Sequence, residues 1–433
     1  MNHARMKVSE KLSGWLPCLL FGLLMIALVV LGFRKQADNP AGSDLDVYLH
    51  AGRLMMEGAD MYLVPTHGEK YYRYPPLLAF LVGPLARLPY QTALLVWLAL
   101  SAVIMSAAGL VWFRTVTGMK FCRQRARIQW AVGGVALLVT LRYVLSHFNY
   151  GQVNLMVLAL MVFGCALIFR GRTVSGGALI GISMVIKPFA LPFLVWFAVS
   201  RYWRTLIGVV AGGLAGIALP AIRTGLAGNL EHMKQWLAHM ADSASPTTVW
   251  LASNNVSLYA SLQRLFTDLE VRHLDGTMSN ISLLALPGPV VQILAWLIFG
   301  MILIWIGRVS WKYGRSDDDR VRVAVASFMF ALVPVLTTTA QKHYFVMIVP
   351  AVVYVLCAWL VFKIRDSVFR ALVAVSFALL AATGPAIWSK VWAQTFQATG
   401  VITVAAILLA AAIGRSMNAP GLSGVTKGAR NVS

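Results

Sequence analysis

The chain has 433 residues, 59% of them hydrophobic and only 12% charged, and its 37 Lys and Arg against 16 Asp and Glu give a net charge of +21. A soluble globular protein carries about twice that charged fraction, so composition argues against a soluble enzyme. The basic excess sits in short segments between apolar runs, which argues against a nucleic-acid binder and for the loops of a membrane protein facing anionic lipid headgroups.

Residues 1–14 read as a short basic tail, with Lys7 and Lys11 ahead of a first apolar run at about 15–33. No small-residue cleavage site follows that run, so it reads as a retained helix and not a removed signal. Further runs long enough to span a bilayer fall at about 90–113, 129–145, 152–169, 203–222, 288–306, 321–338, 344–362, 368–387 and 399–414. Ser175 to Ser200 is apolar as well, but Arg170 and Arg172 precede it, Arg201 and Arg204 follow it, and Lys187-Pro188 interrupts it. Proline removes a backbone donor, so two short helices meeting near Lys187 are expected to return the chain to its starting side. The sum is an all-α polytopic membrane protein with about twelve crossings, a single transmembrane domain over 15–414, and cytoplasmic tails at 1–14 and 415–433. The segments assigned to the inner side hold most of the Lys and Arg but few acids (Glu10, Asp317, Asp318, Asp319 and Asp366). Two longer segments, 34–89 and 223–287, fall outside as loops, and functional surface should concentrate there. No internal repeat stands out, which disfavours inverted-repeat transporters.

Polar residues mark the outer ends of the spans. Asp44 and Asp46 follow the first span; carboxylates there are costly to desolvate, and either could take a proton from an attacking hydroxyl or merely cap a helix. Lys187 lies midway through an apolar stretch beside a helix break, where a phosphate would satisfy it. Lys342 and His343 open another span and could flank an anion. Arg142 and His147 bracket a turn that leads into Gln152 and Asn154, whose amides suit sugar hydroxyls or helix caps. Tyr71-Tyr72-Arg73-Tyr74-Pro75-Pro76 reads as a stiff interfacial loop, with Arg73 and Tyr74 able to meet a phosphate or a sugar face. Segment 223–287 contributes Trp236, Trp250, Asn255 and Arg264. Asp317-Asp318-Asp319 sits among arginines and reads as local charge compensation. Cys18, Cys122, Cys165 and Cys357 lack metal-ligand or disulfide spacing.

The order of several short motifs resembles glycosyltransferase family 87. A span is followed by Asp44-Leu45-x-Val47-Tyr48, Ala51, Gly58 and Tyr62, then Tyr74-Pro75-Pro76 and Pro84-Leu85. Gly151-Gln152-x-Asn154, Gly177 to Gly181 and Ile186-Lys187-Pro188 come next, then Asn255-x-Ser257 with Arg264, and finally His343-Tyr344. The family consists of polytopic, polyprenyl-phosphate-sugar-dependent transferases that include mycobacterial mannosyltransferases. The resemblance implies a GT-C-type fold in a bacterial inner membrane. It further implies transfer of a hexose, mannose first, from a polyprenyl-phosphate donor to a lipid-linked or cell-envelope glycan acceptor, on the outer face and with inversion. The first Asp of the motif matches the family's general base, so Asp44 is the expected base and Asp46 the reserve. His343 matches a histidine position, and charge and placement put Lys187 at the donor phosphate. Lys342, Arg73, Gln152, Asn154, Asn255 and Tyr74 complete the expected donor-binding set. A lipid phosphate leaves without an acid's help, so cations and one base suffice. Asp44-Leu45-Asp46 has the spacing of a diphosphate-metal motif, but a monophosphate donor has less need of a metal; neither metal nor cofactor is expected. The competing readings are a carrier or flippase of lipid-linked sugars and a non-catalytic envelope assembly protein.

Overall fold

A computed structural model describes residues 2–66, 69–118, 126–242, 252–273, 276–384 and 387–419, with side chains from residue 19 on except at 126, 127 and 242. Trp250, Cys122 and the tail beyond residue 419 lie outside the described residues. The chain is mostly helical. The strands among the described residues are β1 (Glu270–Arg272) and β2 (Met278–Asn280), paired antiparallel.

Among the described residues, five helices are long and apolar enough to cross a membrane. They are Leu19–Gln36 within α1 (Asn2–Gln36), α4 (Tyr90–Thr117), Ile128–Tyr150 within α5 (Ala126–Tyr150), Gly288–Tyr313 and Lys342–Leu360. The number reaches seven when two bent pairs count as spans. One pair joins α9 (Trp203–Ala218) to α10 (Ala221–Asp242) through a 92° bend; the other joins Lys390–Ala398 to Val401–Ser416 through 57°. Large apolar side chains such as Ile26, Val103, Leu138 and Trp296 face outward, which is the surface a hydrocarbon solvent selects.

The break expected near Lys187 is present. Helix α7 (Thr173–Ile186) stops there; Lys187 is extended at φ −147 and ψ 131, and α8 (Leu191–Val199) begins after Pro188 with a second proline in its first turn. Helix α6 (Asn154–Phe169) ends where α8 ends: the Phe169 and Trp196 rings lie 6.4 Å apart. Just beyond α8, the Tyr202 hydroxyl donates to the Gly314 carbonyl at 2.8 Å. The α7–α8 hairpin therefore starts and finishes at one pole of the bundle and carries Lys187 to the other.

Glycine pairs set the position of α7. A Cβ at Gly177 or Gly181 would collide with the carbonyl oxygens of Thr205 and Val209 on α9, and one at Gly208 or Gly212 with those of Val174 and Ala178 on α7. Small residues four apart on both helices allow this backbone-to-backbone approach.

Two expectations are corrected. Segment 34–89 is not a loop throughout: it contains α2 (Asp44–Glu57) and α3 (Pro76–Val82), fastened by tyrosines. The Tyr72 hydroxyl donates to the Pro75 carbonyl and accepts from the Ala79 N–H, which gives α3 its start. Helix α10 then lies against this pair, with Arg223 donating to the Met56 carbonyl and Trp236 to the Arg73 carbonyl. The run read as a span at 321–338 leaves the helix at Leu332. Pro334 cannot continue the hydrogen-bond ladder and three threonines follow, so the chain runs irregularly until the 3₁₀ segment Lys342–Ile348. At the opposite pole the acids pair locally, Asp319 with Arg322 and Asp366 with Arg415, while Asp318 caps the helix Asp319–Leu332.

Candidate active site

The site forms where α1, α2, α5, α6 and the α7–α8 break meet. Ser43 starts α2: its hydroxyl accepts from the Leu45 N–H at 3.1 Å and donates to the Gln36 side-chain oxygen. The Gln36 amide in turn donates to the Phe148 carbonyl at 2.7 Å. This buried relay ties the ends of α1 and α5 to the first residue of α2, which is Asp44. An N-capped first turn also favours a carboxylate electrostatically.

Gly151 makes the second connection. It turns the chain at φ +62 between α5 and α6, and a Cβ there would strike the side chains of Leu45, Gln36 and Ser43. The turn aims the next residue, Gln152, at Asp44, and the Gln152 amide donates to Asp44 Oδ2. Lys70 Nζ lies 3.7 Å from Asp44 Oδ1, and the Asp44 side chain keeps 28% of its surface open. Burial by the surrounding protein raises the Asp44 carboxyl above the usual carboxylate value, while the charges of Lys70 and Lys187 and the Gln152 hydrogen bond pull it down.

Lys187 is 4% exposed and fully engaged. Its ammonium donates to Asn154 Oδ1 at 2.7 Å and to Gln152 Oε1 at 3.3 Å. Three rings surround it, with Tyr344, Tyr74 and Phe189 centroids at 4.5, 5.2 and 5.5 Å. Aromatic faces and amide oxygens replace the water a buried ammonium loses. The chain Lys187–Gln152–Asp44 therefore links the helix break to the carboxylate. Tyr48 adds a hydroxyl 3.2 Å from that of Tyr74.

Of the residues singled out in the sequence, Asp44, Gln152, Asn154, Lys187 and Tyr74 come together in this network. His343 borders it: its carbonyl accepts from Asn154 at 2.9 Å, and its buried ring lies against Tyr150 and Tyr344. Lys342, the preceding residue, lies within range of the charges of Arg142 and Lys35. Asp46 diverges from Asp44, because two residues along a helix turn the side chain by about 200°; it lies near Tyr90. Arg73 is exposed, and its backbone is held by Trp236. Asn255 accepts from the N–H groups of Ser257 and Ala340, joining the segment that starts at residue 252 to the approach to Lys342. Buried Arg264 supports it with bonds to the Asn255, Ala252 and Ala398 carbonyls. No group of three or more His, Cys, Asp or Glu converges on one point among the described residues. Lys70, Ser43, Gln36, Lys35 and Tyr344 were not singled out as site residues. Tyr344 closes the His343-Tyr344 motif, but Lys70 carries no local signal and joins the site only because the α2–α3 connection folds back.

Comparison with known proteins converges on one family. The model of glycosyltransferase family 87 matches residues 72–339. A curated protein of Mycolicibacterium smegmatis, named polyprenol-phosphate-mannose-dependent alpha-(1-2)-phosphatidylinositol mannoside mannosyltransferase, is 25% identical over 379 residues, 83% of this chain and 79% of that protein. A Mycobacterium tuberculosis protein of the same name is 26% identical over 208 residues, 45% of this chain and 48% of the relative. No solved structure matches the chain.

Proposed function

This chain belongs to glycosyltransferase family 87, and from that premise we propose that it transfers a hexose, mannose first, from a polyprenyl-phosphate donor to a lipid-linked or cell-envelope glycan acceptor. The donor class follows the names of the mycobacterial relatives. The observation that carries the site assignment is the partly exposed Asp44 carboxylate, fixed by Gln152 and backed by Lys187.

In the proposed reaction the acceptor hydroxyl gives its proton to Asp44 as its oxygen bonds to the anomeric carbon. The bond from that carbon to the phosphate oxygen breaks on the opposite face, so the configuration inverts. Polyprenyl phosphate departs with the electron pair, and cations hold it: Lys342 with His343 beside it, Lys187 from behind the network, and Arg73 at the rim. Gln152, Asn154, Tyr74 and Asn255 shape the donor side, and Asp46 stands in reserve. The same reading takes 15–414 as one transmembrane domain with about twelve crossings in a bacterial inner membrane. Both tails, 1–14 and 415–433, are then cytoplasmic. The basic pole at Arg170, Arg201, Lys312, Arg315, Arg320 and Lys363 supports that orientation, in which the Asp44 pole faces outward.

The test is transfer by purified protein from polyprenyl-phosphate mannose to envelope lipids, with the anomeric configuration of the product read by NMR. Retention at the anomeric carbon would overturn the single-displacement mechanism. Absence of transfer, with flux of the lipid-linked sugar across vesicles instead, would establish the carrier reading.

Two further results are expected. The base works as a carboxylate, so kcat/KM should fall as pH drops through its pKa, with a midpoint above the ordinary 3.8 because burial dominates. Gln152→Ala removes a hydrogen bond to the charged form and should move that limb to higher pH; an unmoved limb in the pH–rate profile would separate Gln152 from the base. Activity should also persist in EDTA, since a phosphate leaving group held by cations needs no metal. Loss in EDTA with recovery on adding a divalent ion would reverse that conclusion.

A further inference from the structure

Helix α10 leaves the bundle at a right angle and carries three different faces. Asn229 donates to the Ile217 carbonyl at 2.9 Å and so clamps the 92° bend that follows α9. Gly225, at φ +69 and ψ 169, breaks the first turn, and the helix runs on from Leu226. Asn229, His232, Trp236 and His239 form a packed row at helical spacing. Leu226, Leu230, Met233, Leu237 and Met240 form a second row, whose leucines are 82%, 59% and 58% exposed. With 3.6 residues per turn, the second row is rotated about 100° from the first. Glu231 and Lys234, paired at 3.6 Å, are exposed roughly 100° further round.

That order of faces is protein, hydrocarbon, water. A helix bent at a right angle to a membrane-crossing one lies in the plane of the bilayer, where a submerged apolar side next to a charged side is the stable arrangement. The leucine row also continues the outward apolar surface of α9, where Ile207, Val210 and Leu214 are exposed. A second copy of the chain fits the row poorly. From Leu226 to Met240 it is about 21 Å long and one helix wide, roughly 200 Å² against the about 800 Å² per partner of a stable interface.

The packed row grips the segment that bears Lys70. Trp236 Nε1 donates to the Arg73 carbonyl at 3.3 Å, and the His239 ring lies 5.7 Å from Tyr71 and 6.2 Å from Tyr62. Tyr62 in turn donates to the Tyr74 carbonyl at 3.0 Å. Between these anchors the Thr66 N–H donates to the Lys70 carbonyl at 3.0 Å, and Lys70 Nζ reaches Asp44 Oδ1. Asp44 is within electrostatic reach of Lys70, Lys187 and the phenols of Tyr48, Tyr74, Tyr150 and Tyr344. Phenols are neutral near pH 7, so the two lysines are the charges that keep it ionised. Lys187 is buried and fixed by amides, whereas Lys70 is 38% exposed and depends for its position on the segment that carries it.

We propose that α10 seats its leucine row in the lipid of the leaflet at the Asp44 pole and, from that seat, holds the segment between Tyr62 and Tyr74 so that Lys70 stays against Asp44. This rests on Asp44 as the base, as proposed above. Lys70 is then a positioning residue, and the bilayer itself is a partner that keeps it in place.

The first arm of the test reads the seat without activity, in lipid nanodiscs. Cys165 and Cys357 are buried; with Cys18→Ser and Cys122→Ser in the background, Leu230→Cys is labelled with a bimane dye. Quenching by lipids brominated near the headgroup end of the acyl chain should be well above that of the same dye at Glu231→Cys. Equal quenching at the two positions overturns the lipid seat. Shielding at 230 only in discs that hold two copies overturns it too and assigns the row to a second copy. The second arm makes the row polar with a residue of similar helix propensity, Leu226→Gln, Leu230→Gln and Leu237→Gln together, with Leu237→Gln as the milder variant. Trypsin cleavage after Lys70 and Arg73 should speed up by about 10-fold, the worth of one buried leucine. The acid limb of kcat/KM should move to higher pH, the direction in which Lys70→Met moves it, because a cation leaves the carboxylate. A packing defect would lower kcat without moving that limb. Unchanged cleavage in both row variants overturns the hold on the segment, and an unmoved limb in them or in Lys70→Met overturns its link to Asp44. If wild type transfers no sugar while the quenching and cleavage results hold, the failure belongs to the proposed reaction and not to the seat of α10.

Discussion

Asp44→Asn is expected to lower kcat by about 10²- to 10⁴-fold, the range that a positioned general base contributes. The substitution keeps the side chain's size and shape. An asparagine oxygen can still accept from the Gln152 amide, so the α2–α6 contact survives and the fold should not change. What disappears is the capacity to take a proton and the negative charge opposite Lys70 and Lys187. Donor binding should hold or tighten slightly, because a phosphate no longer approaches a carboxylate. Turnover and donor KM, measured together, separate these effects. Asp46→Asn is the companion variant; its carboxylate leaves the helix on another side, and a loss of less than about 10-fold is expected, since it would not share the base's role. Full activity in Asp44→Asn, or a larger loss in Asp46→Asn, would move the base away from Asp44.

Gly181→Leu is expected to abolish recovery of folded protein. The reason is backbone contact: a Cβ there would overlap the Val209 carbonyl and approach the Gly213 nitrogen, and neither is a flexible side-chain end that can step aside. Overpacking a core by side-chain overlap costs about 1–3 kcal/mol; here α7 and α9 must separate, and with them go the contacts of Gly177, Gly208 and Gly212. Gly213→Leu is the control. It lies on the facing helix α9, next to Gly212, but its Cβ would meet nothing within 4 Å, so it should behave as wild type by size-exclusion profile and thermal unfolding. Comparable yield and Tm for the two variants would show that the crossing tolerates separation. The milder Gly181→Ala links packing to chemistry. It displaces the helix that ends at Lys187, so activity should fall further than stability.

The polar network was partly legible. Asp44, Gln152, Asn154, Lys187 and Tyr74 drew attention because each is a polar or aromatic group beside an apolar span or a helix break, and a bilayer makes such groups expensive unless something engages them. Arg73 and Asn255 drew attention on the same ground but make other connections, the one at the surface and the other to the backbone of Ala340. Sequence proximity to the membrane surface does not say toward which neighbour a side chain turns. Lys35 and Lys70 were passed over because flexible cations in polar stretches look alike until folding chooses their neighbours.

Hydropathy, the basic loops and the Lys187-Pro188 interruption determined, without coordinates, a helical membrane protein with two short helices meeting at a buried lysine. These are local properties: the bilayer imposes span length, and proline imposes the break. Tertiary structure decided the rest. It turned an assumed outer loop into α2 and α3 and put Asp44 in a capped first turn, directed away from Asp46. The physical cause is long-range: Gln36 and Ser43 lie far along the chain from Phe148 and the left-handed Gly151, and the hydrogen bonds and close contacts between them exist only once α1, α5 and α6 have packed.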